Sequence, residues 1–222
     1  MGTDDLFKKR RAKREPRKSG SRLPKANSYL IVTEGGKTEP LYLNGIRERI
    51  KEVRGGNIDI HIKGEGRSTF SLLRKANELV RGAHIIYQNV WLVFDKDDFE
   101  DFDQAIEEAG KAGYKVAWSN QSFEYWLYLH FEYSDVALHR NDWTAKFSEI
   151  LKRNGLSKKG YEKNLKNIYT VVDTYNGVDT AIKHAKRRMV DYESSKCKPS
   201  EYDPGTTVHI LVGDLKEYLR ER

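Results

Sequence analysis

Short apolar runs alternate with stretches of helical period through the first half of the chain. Ser28-Tyr29-Leu30-Ile31-Val32-Thr33 reads as a buried strand that ends in Glu34-Gly35-Gly36. Leu41, Tyr42, Ile46 and Ile50 then recur at the spacing of one helix face, and Pro40 suits the first turn. Residues 57–62 alternate apolar and polar, which predicts a strand near a sheet edge. Ser68 is placed to cap a helix carrying Phe70, Leu72, Leu73, Ala76, Leu79 and Val80, and Gly82 ends it. A third strand spans residues 89–95, a helix capped by Asp101 spans 102–112, and a fourth strand spans 114–118. Ser122 opens an aromatic helix through Phe131. Beyond residue 134 the pattern is helical, with predicted helices over 143–151, 161–172 and 179–192 and a closing segment over 206–219.

Strands alternating with helices at this rhythm predict a mostly parallel four-stranded sheet with right-handed crossovers, flanked by helices. Three regions follow: a basic flexible arm over 1–27, an α/β core over 28–133, and a basic helical region over 134–222 that packs on the core. In parallel sheets ligands sit beyond the carboxyl ends of the strands. Glu34 ends the first strand and Asp95 the third, so acids about sixty residues apart meet at one rim. Glu124, at the start of the helix after the fourth strand, is a third acid for that rim. In Trp91-Leu92-Val93-Phe94-Asp95-Lys96-Asp97-Asp98, Asp95 and Asp97 share a face because strand side chains repeat at i and i+2. Two carboxylates ~4 Å apart repel by roughly 4 kcal/mol at an effective dielectric near 20. A divalent cation between them turns that cost into a binding site. The Gly35-Gly36 turn lacks the spacing of a phosphate loop.

Charge sharpens this reading. The formal charge of +7 favours an anionic partner, nucleic acid first. Lys8, Lys9, Arg10, Arg11, Lys13, Arg14, Arg17, Lys18, Arg22 and Lys25 surround Glu15 and outnumber the arm's three acids, so the arm repels itself and buries nothing. Arg10, Arg11 and Arg14 are its phosphate-binding candidates, giving salt-dependent affinity without sequence preference. Lys37 in the first turn, and Lys158, Lys159, Arg187 and Arg188 in the helical half, are further candidates. Cys197 is the one cysteine, which excludes an internal disulfide and a thiolate metal cluster. No apolar run approaches the ~18 residues of a membrane span. The basic N-terminus is followed by no apolar stretch of the kind a secretory signal needs, so a cytoplasmic protein is expected. His130, set among aromatics, reads as a hydrogen-bonded core histidine.

A strand-end glutamate in a Glu-Gly turn, followed by a hydrophobic strand ending in Asp-x-Asp, resembles the Toprim domain of topoisomerases, primases and overcoming-lysogenization-defect nucleases. Val32-Thr33-Glu34-Gly35-Gly36-Lys37-Thr38-Glu39, Phe94-Asp95-Lys96-Asp97-Asp98-Phe99 and Asn120-Gln121-Ser122-Phe123-Glu124-Tyr125-Trp126-Leu127-Tyr128-Leu129-His130-Phe131 together resemble the RloB-like family, a Toprim-related group associated with phage defence. The resemblance runs from about residue 28 onward and includes Pro204-Gly205-Thr206-Thr207-Val208. It implies a Toprim-like fold in which Glu34, Asp95 and Asp97 match the Toprim acids. Glu39 matches a second glutamate and Ser122 with Glu124 a Ser-x-Glu element of the nuclease branch, a set suited to two Mg²⁺ or Mn²⁺ ions. It also implies an ATPase partner of the RloA type.

Hard divalent cations take oxygen ligands, and two of them can stabilise both the attacking and the leaving oxygen of a phosphodiester. Asp95 is the expected bridging ligand, with Asp97, Glu34 and Glu124 completing the sites and Glu39 as an added ligand. Phosphate charge also needs neutralising, for which Lys37, Lys163 and Lys166 are candidates of equal standing. The expected function is therefore a metal-dependent nuclease acting on DNA or RNA, tRNA included, as an anti-phage effector. The competing reading is a non-catalytic nucleic-acid- or ATPase-binding subunit. A phosphatase of the dehalogenase type needs Asp-x-Asp on its first strand, where this chain has Glu34.

Overall fold

The computed structural model describes residues 23–55, 58–64, 69–96, 100–190 and 192–220. The arm residues Arg10, Arg11 and Arg14, the cap position Ser68 and the acid Asp97 lie outside these. Its strands are β1 (Leu23–Thr33), β2 (Asp59–Gly64), β3 (Ile85–Lys96) and β4 (Lys115–Asn120). They form one four-stranded sheet in the order β2-β1-β3-β4, with every pair parallel. Helices α1 (Thr38–Arg54), α2 (Thr69–Gly82) and α3 (Phe102–Lys111) connect them in the predicted alternation. This is the flanked parallel α/β sheet that the pattern implies.

Strand parity divides the core in two. Tyr29, Ile31, Trp91 and Val93 face one side, where they meet the apolar stripe of α1 and the helices that follow β4. Leu30, Val32, Val90, Leu92 and Phe94 face the other, under α2 and α3. Asp95 has the parity of Trp91 and Val93, so its side chain belongs to the α1 face.

After β4 come α4 (Phe123–Tyr128), α5 (Arg140–Arg153), α6 (Ile168–Val172), α7 (Gly177–Met189), α8 (Tyr192–Ser195) and α9 (Val208–Lys216). Trp126, Trp143, Phe147, Val172, Ala181 and Leu211 join Ile31 and Trp91 in one continuous core, so the helical half shares its interior with the sheet. His130 lies inside it. Its Nδ1–H donates to the Trp126 carbonyl, leaving Nε2 to accept the Tyr42 hydroxyl at 3.0 Å. Burial pushes its pKa down to about 3, so it is a neutral core histidine, as expected. Among the described residues no helix is long and apolar enough to cross a membrane.

Three boundaries differ most from the sequence reading. β1 takes in residues 23–27, placed by sequence in the arm, and β3 starts at Ile85 rather than Asn89. Leu23, Pro24 and Lys25 pair with Ile85, Ile86 and Tyr87 across a register break at Asn27, whose φ is 55°. That pairing is non-local, and Pro24 and Lys25 carry no strand signal of their own. The third difference is the predicted helix over 161–172, which shrinks to α6 because residues 161–167 form a loop. Its backbone is engaged from outside: Ser148 Oγ accepts the Tyr161 N–H at 3.0 Å, and the Lys163 carbonyl lies 3.3 Å from Thr38 Oγ1. The edge of β4 is covered by residues 204–207, through Asn120 N–H to Gly205 O and Thr207 N–H to Trp118 O, both 2.8 Å.

Candidate functional site

The carboxyl ends of β1, β3 and β4 bring Glu34, Asp95 and Glu124 to one rim, and α1 adds Glu39 from its first turn. Glu34 N–H donates to the Val93 carbonyl at 2.8 Å, which locks the turn onto β3. Its Oε2 in turn accepts the Asp95 N–H at 3.3 Å. Asp95 Oδ2 accepts the Phe123 N–H at 2.9 Å, so the β3 acid, not Ser122, satisfies the first amide of α4. Ser122 Oγ is buried with no hydrogen-bond partner among the described residues. Glu124, with its side chain 5% exposed, accepts the Tyr161 hydroxyl on Oε1 at 2.9 Å, and Lys163 Nζ stands 4.0 Å from the same oxygen.

Glu39 is 8% exposed and folds back over the Glu-Gly turn. A Cβ built on Gly35 would lie 2.1 Å from Glu39 Oε2, whereas one on Gly36 meets nothing within 4 Å. A Cβ at the first position thus meets only the carboxylate end of Glu39, which must move aside. Gly35→Ala should lower the thermal midpoint by the equivalent of about 1 kcal/mol, and Gly36→Ala should change it by less than about 0.5 kcal/mol. Equal midpoints in a thermal melt of the two variants would refute that packing.

These acids feel one another. Burial holds the Asp95 carboxyl well above the usual carboxylate range, and Glu39, Glu124 and Glu34 add to the rise against the Phe123 N–H. Burial likewise raises Glu39; Glu124 reinforces it, while the N–H groups of Glu39 and Gly35 and the Lys163 ammonium oppose it. Glu34 is pushed up to about 7, again by burial first, with the Asp95 N–H and Arg140 opposing. The four are neighbours rather than a closed cage. Among the described residues no three acidic, histidine or cysteine side chains stand close enough to grip an ion. In donor chemistry the set still fits a hard cation: four neighbouring carboxylates, three of them raised by burial, and an unpaired buried hydroxyl are all oxygen ligands, with Lys163 and Arg140 bearing on them only from the side.

The predicted cations separate. Lys163 joins the rim, while Lys166 is exposed on the same loop and Lys37 is exposed at the head of α1. Lys158 and Lys159 are exposed just before Gly160. Arg187 is exposed and stacked over the Tyr133 ring at 3.9 Å. Arg188 is half-buried, with its guanidinium 4.2 Å over the Tyr202 ring and donating to the Tyr202 hydroxyl at 2.7 Å. Sequence reasoning missed Tyr161, Thr38 and Arg140. Tyr161 reads as a helix start, and its one available sign is the glycine before it.

The fold and rim define a parallel α/β protein with a buried carboxylate site at its strand ends. A model of the RloB-like protein family matches residues 29–215. The chain belongs to that family. Neither the curated proteins nor the solved structures give a match.

Proposed function

We propose that the protein is a Toprim-type, divalent-metal-dependent nuclease that cuts phosphodiester bonds of DNA or RNA. The observation that carries this reading is the burial of Asp95 among Glu39, Glu124 and Glu34 at the strand ends. Buried carboxylates that raise one another's pKa are costly to keep unless a cation is part of the native state. Mg²⁺ or Mn²⁺, two ions on this reading, would be held by Asp95, Asp97, Glu34 and Glu124, with Glu39 and Ser122 completing the set. Bound there, such ions supply Lewis acidity and a water acidic enough to attack phosphorus near neutral pH.

The chain's own groups do the rest. The Phe123 N–H fixes Asp95, and the Asp95 N–H fixes Glu34, so neither carboxylate need reorganise on binding. Lys163 is 62% exposed beside Glu124, which suits it to neutralise phosphate oxygens, and makes it a better candidate than Lys37 or Lys166. The exposed Lys158, Lys159 and Arg187 suit backbone contacts that carry no base preference. The wider assignment is an anti-phage effector working with an ATPase partner of the RloA type.

The test is Mn²⁺- and Mg²⁺-supported cleavage of a DNA, RNA and tRNA panel, alone and with the ATPase. Cutting should stop with EDTA and with Glu34→Gln. Binding that survives EDTA, with no substrate cut under either condition, would establish a non-catalytic subunit instead.

A further inference from the structure

The loop over residues 157–167 reaches the carboxylate rim by a construction that local sequence preferences do not explain. Gly160 holds φ at 88°, a left-handed conformation that side chains other than glycine rarely adopt. A Cβ there would lie 2.0 Å from Ser148 Oγ, the atom that accepts the Tyr161 N–H. Ser157 Oγ donates to the Gly160 carbonyl at 2.7 Å and closes the turn. α5 thus pins the loop through Ser148. The Tyr161 ring packs edge-on against Phe147 at 4.8 Å, and its hydroxyl passes beyond the core to the acids.

The direction of the hydrogen bonds there can be assigned. A phenol has one proton to donate. The Tyr161 hydroxyl gives it to Glu124 Oε1 at 2.9 Å, so the Thr38 hydroxyl donates to the Tyr161 oxygen at 2.7 Å. Thr38 is buried at the head of α1, next to Glu39, so the chain Thr38 to Tyr161 to Glu124 ties α1 to α4 across the rim. A run of hydroxyls aligned this way strengthens its final bond to the carboxylate. The Tyr161 and Lys163 contacts both fall on Oε1, so Oε2 would be the oxygen offered to a cation.

We propose that Tyr161 is a positioning residue of the metal site, holding the Glu124 carboxylate in its ligating orientation through a hydroxyl relay that begins at Thr38. The proposal rests on the metal-site reading above. Partners of this kind, one bond behind a ligand, are typically worth ten- to a hundred-fold in metal affinity.

Calorimetric titration of the full chain with Mn²⁺, without nucleic acid, tests it. Tyr161→Phe keeps the ring against Phe147 and removes only the hydroxyl, so affinity should weaken by about ten-fold or more. Tyr128→Phe is the matched control, because that hydroxyl bonds Glu132 at 2.7 Å and not a rim acid; affinity should stay at the wild-type value. On a Glu124→Ala background Tyr161→Phe should have no further effect, a non-additivity that a general packing defect would not produce. Thr38→Val should give an intermediate loss and carries the test if Tyr161→Phe does not fold. Wild-type affinity in Tyr161→Phe, or in Thr38→Val where that variant carries the test, overturns the role of Tyr161 and leaves the metal site standing. No Mn²⁺ binding by the wild type overturns both.

Discussion

Asp95→Asn is expected to stabilise the metal-free protein at pH 8 and, on the nuclease reading, to abolish cleavage of nucleic acid. Asparagine keeps an acceptor for the Phe123 N–H but carries no charge for burial and three neighbouring carboxylates to oppose. Removing such a charge is commonly worth about 1–4 kcal/mol, and each kcal/mol raises the midpoint of a chain this long by about 2–4 °C. Cleavage should fall by at least about a thousand-fold, equivalent to ~4 kcal/mol of barrier. Calorimetry in EDTA and a Mn²⁺ cleavage assay on one preparation read both. A less stable variant that still cuts would sink the assignment of Asp95, because a residue kept for structure and a residue kept for chemistry respond in opposite directions.

The second large effect is on how pH and metal act together. Glu34 titrates near 7 in the folded protein against an ordinary value of 4.5. Between those values the unfolded chain has lost a proton that the folded chain keeps, so stability falls as pH rises through the window and stays low above it. Asp95 and Glu39, both raised, act with the same sign. The metal-free midpoint should therefore drop from pH 5 to pH 8, and Glu34→Gln should flatten that slope. A cation that binds only the native state at a hundred times its dissociation constant adds ~2.7 kcal/mol. That should raise the midpoint at pH 8 by about 5–10 °C. At pH 5 protons occupy the same oxygens and the rise should nearly vanish. A metal-free midpoint that climbs with pH, or a Mn²⁺ effect that is equal at both values, would contradict the site.

Much of the rim was legible because it follows from parity and topology. Glu34 and Asp95 end strands whose apolar alternation is strong, and a parallel sheet puts those ends together. Glu124 follows β4 by the same logic. What the sequence hid is tertiary. Ser122 looks like the cap of α4, yet the acceptor comes from Asp95, twenty-seven residues earlier in the chain. Tyr161, Leu165, Ile168, Tyr169 and Val172 keep helical spacing, but Ser148 and Thr38 engage the backbone of the first part and hold it as a loop. Arg140 opens α5 in sequence and bears on Glu34 in space. Each miss depends on a partner remote in sequence, for which a local pattern carries no signal.

The strap over residues 204–207 has a consequence for the order in which the protein is made. It hydrogen-bonds to Trp118 and Asn120, on the strand that leads directly into Ser122 and Glu124. A chain emerging from the ribosome exposes Glu34, Glu39 and Asp95 long before Tyr161, Lys163 and this strap exist. On the nuclease reading, the cutting centre stays unassembled until the chain has been translated past Thr207, and a chain released earlier carries acids without the scaffold that aligns them.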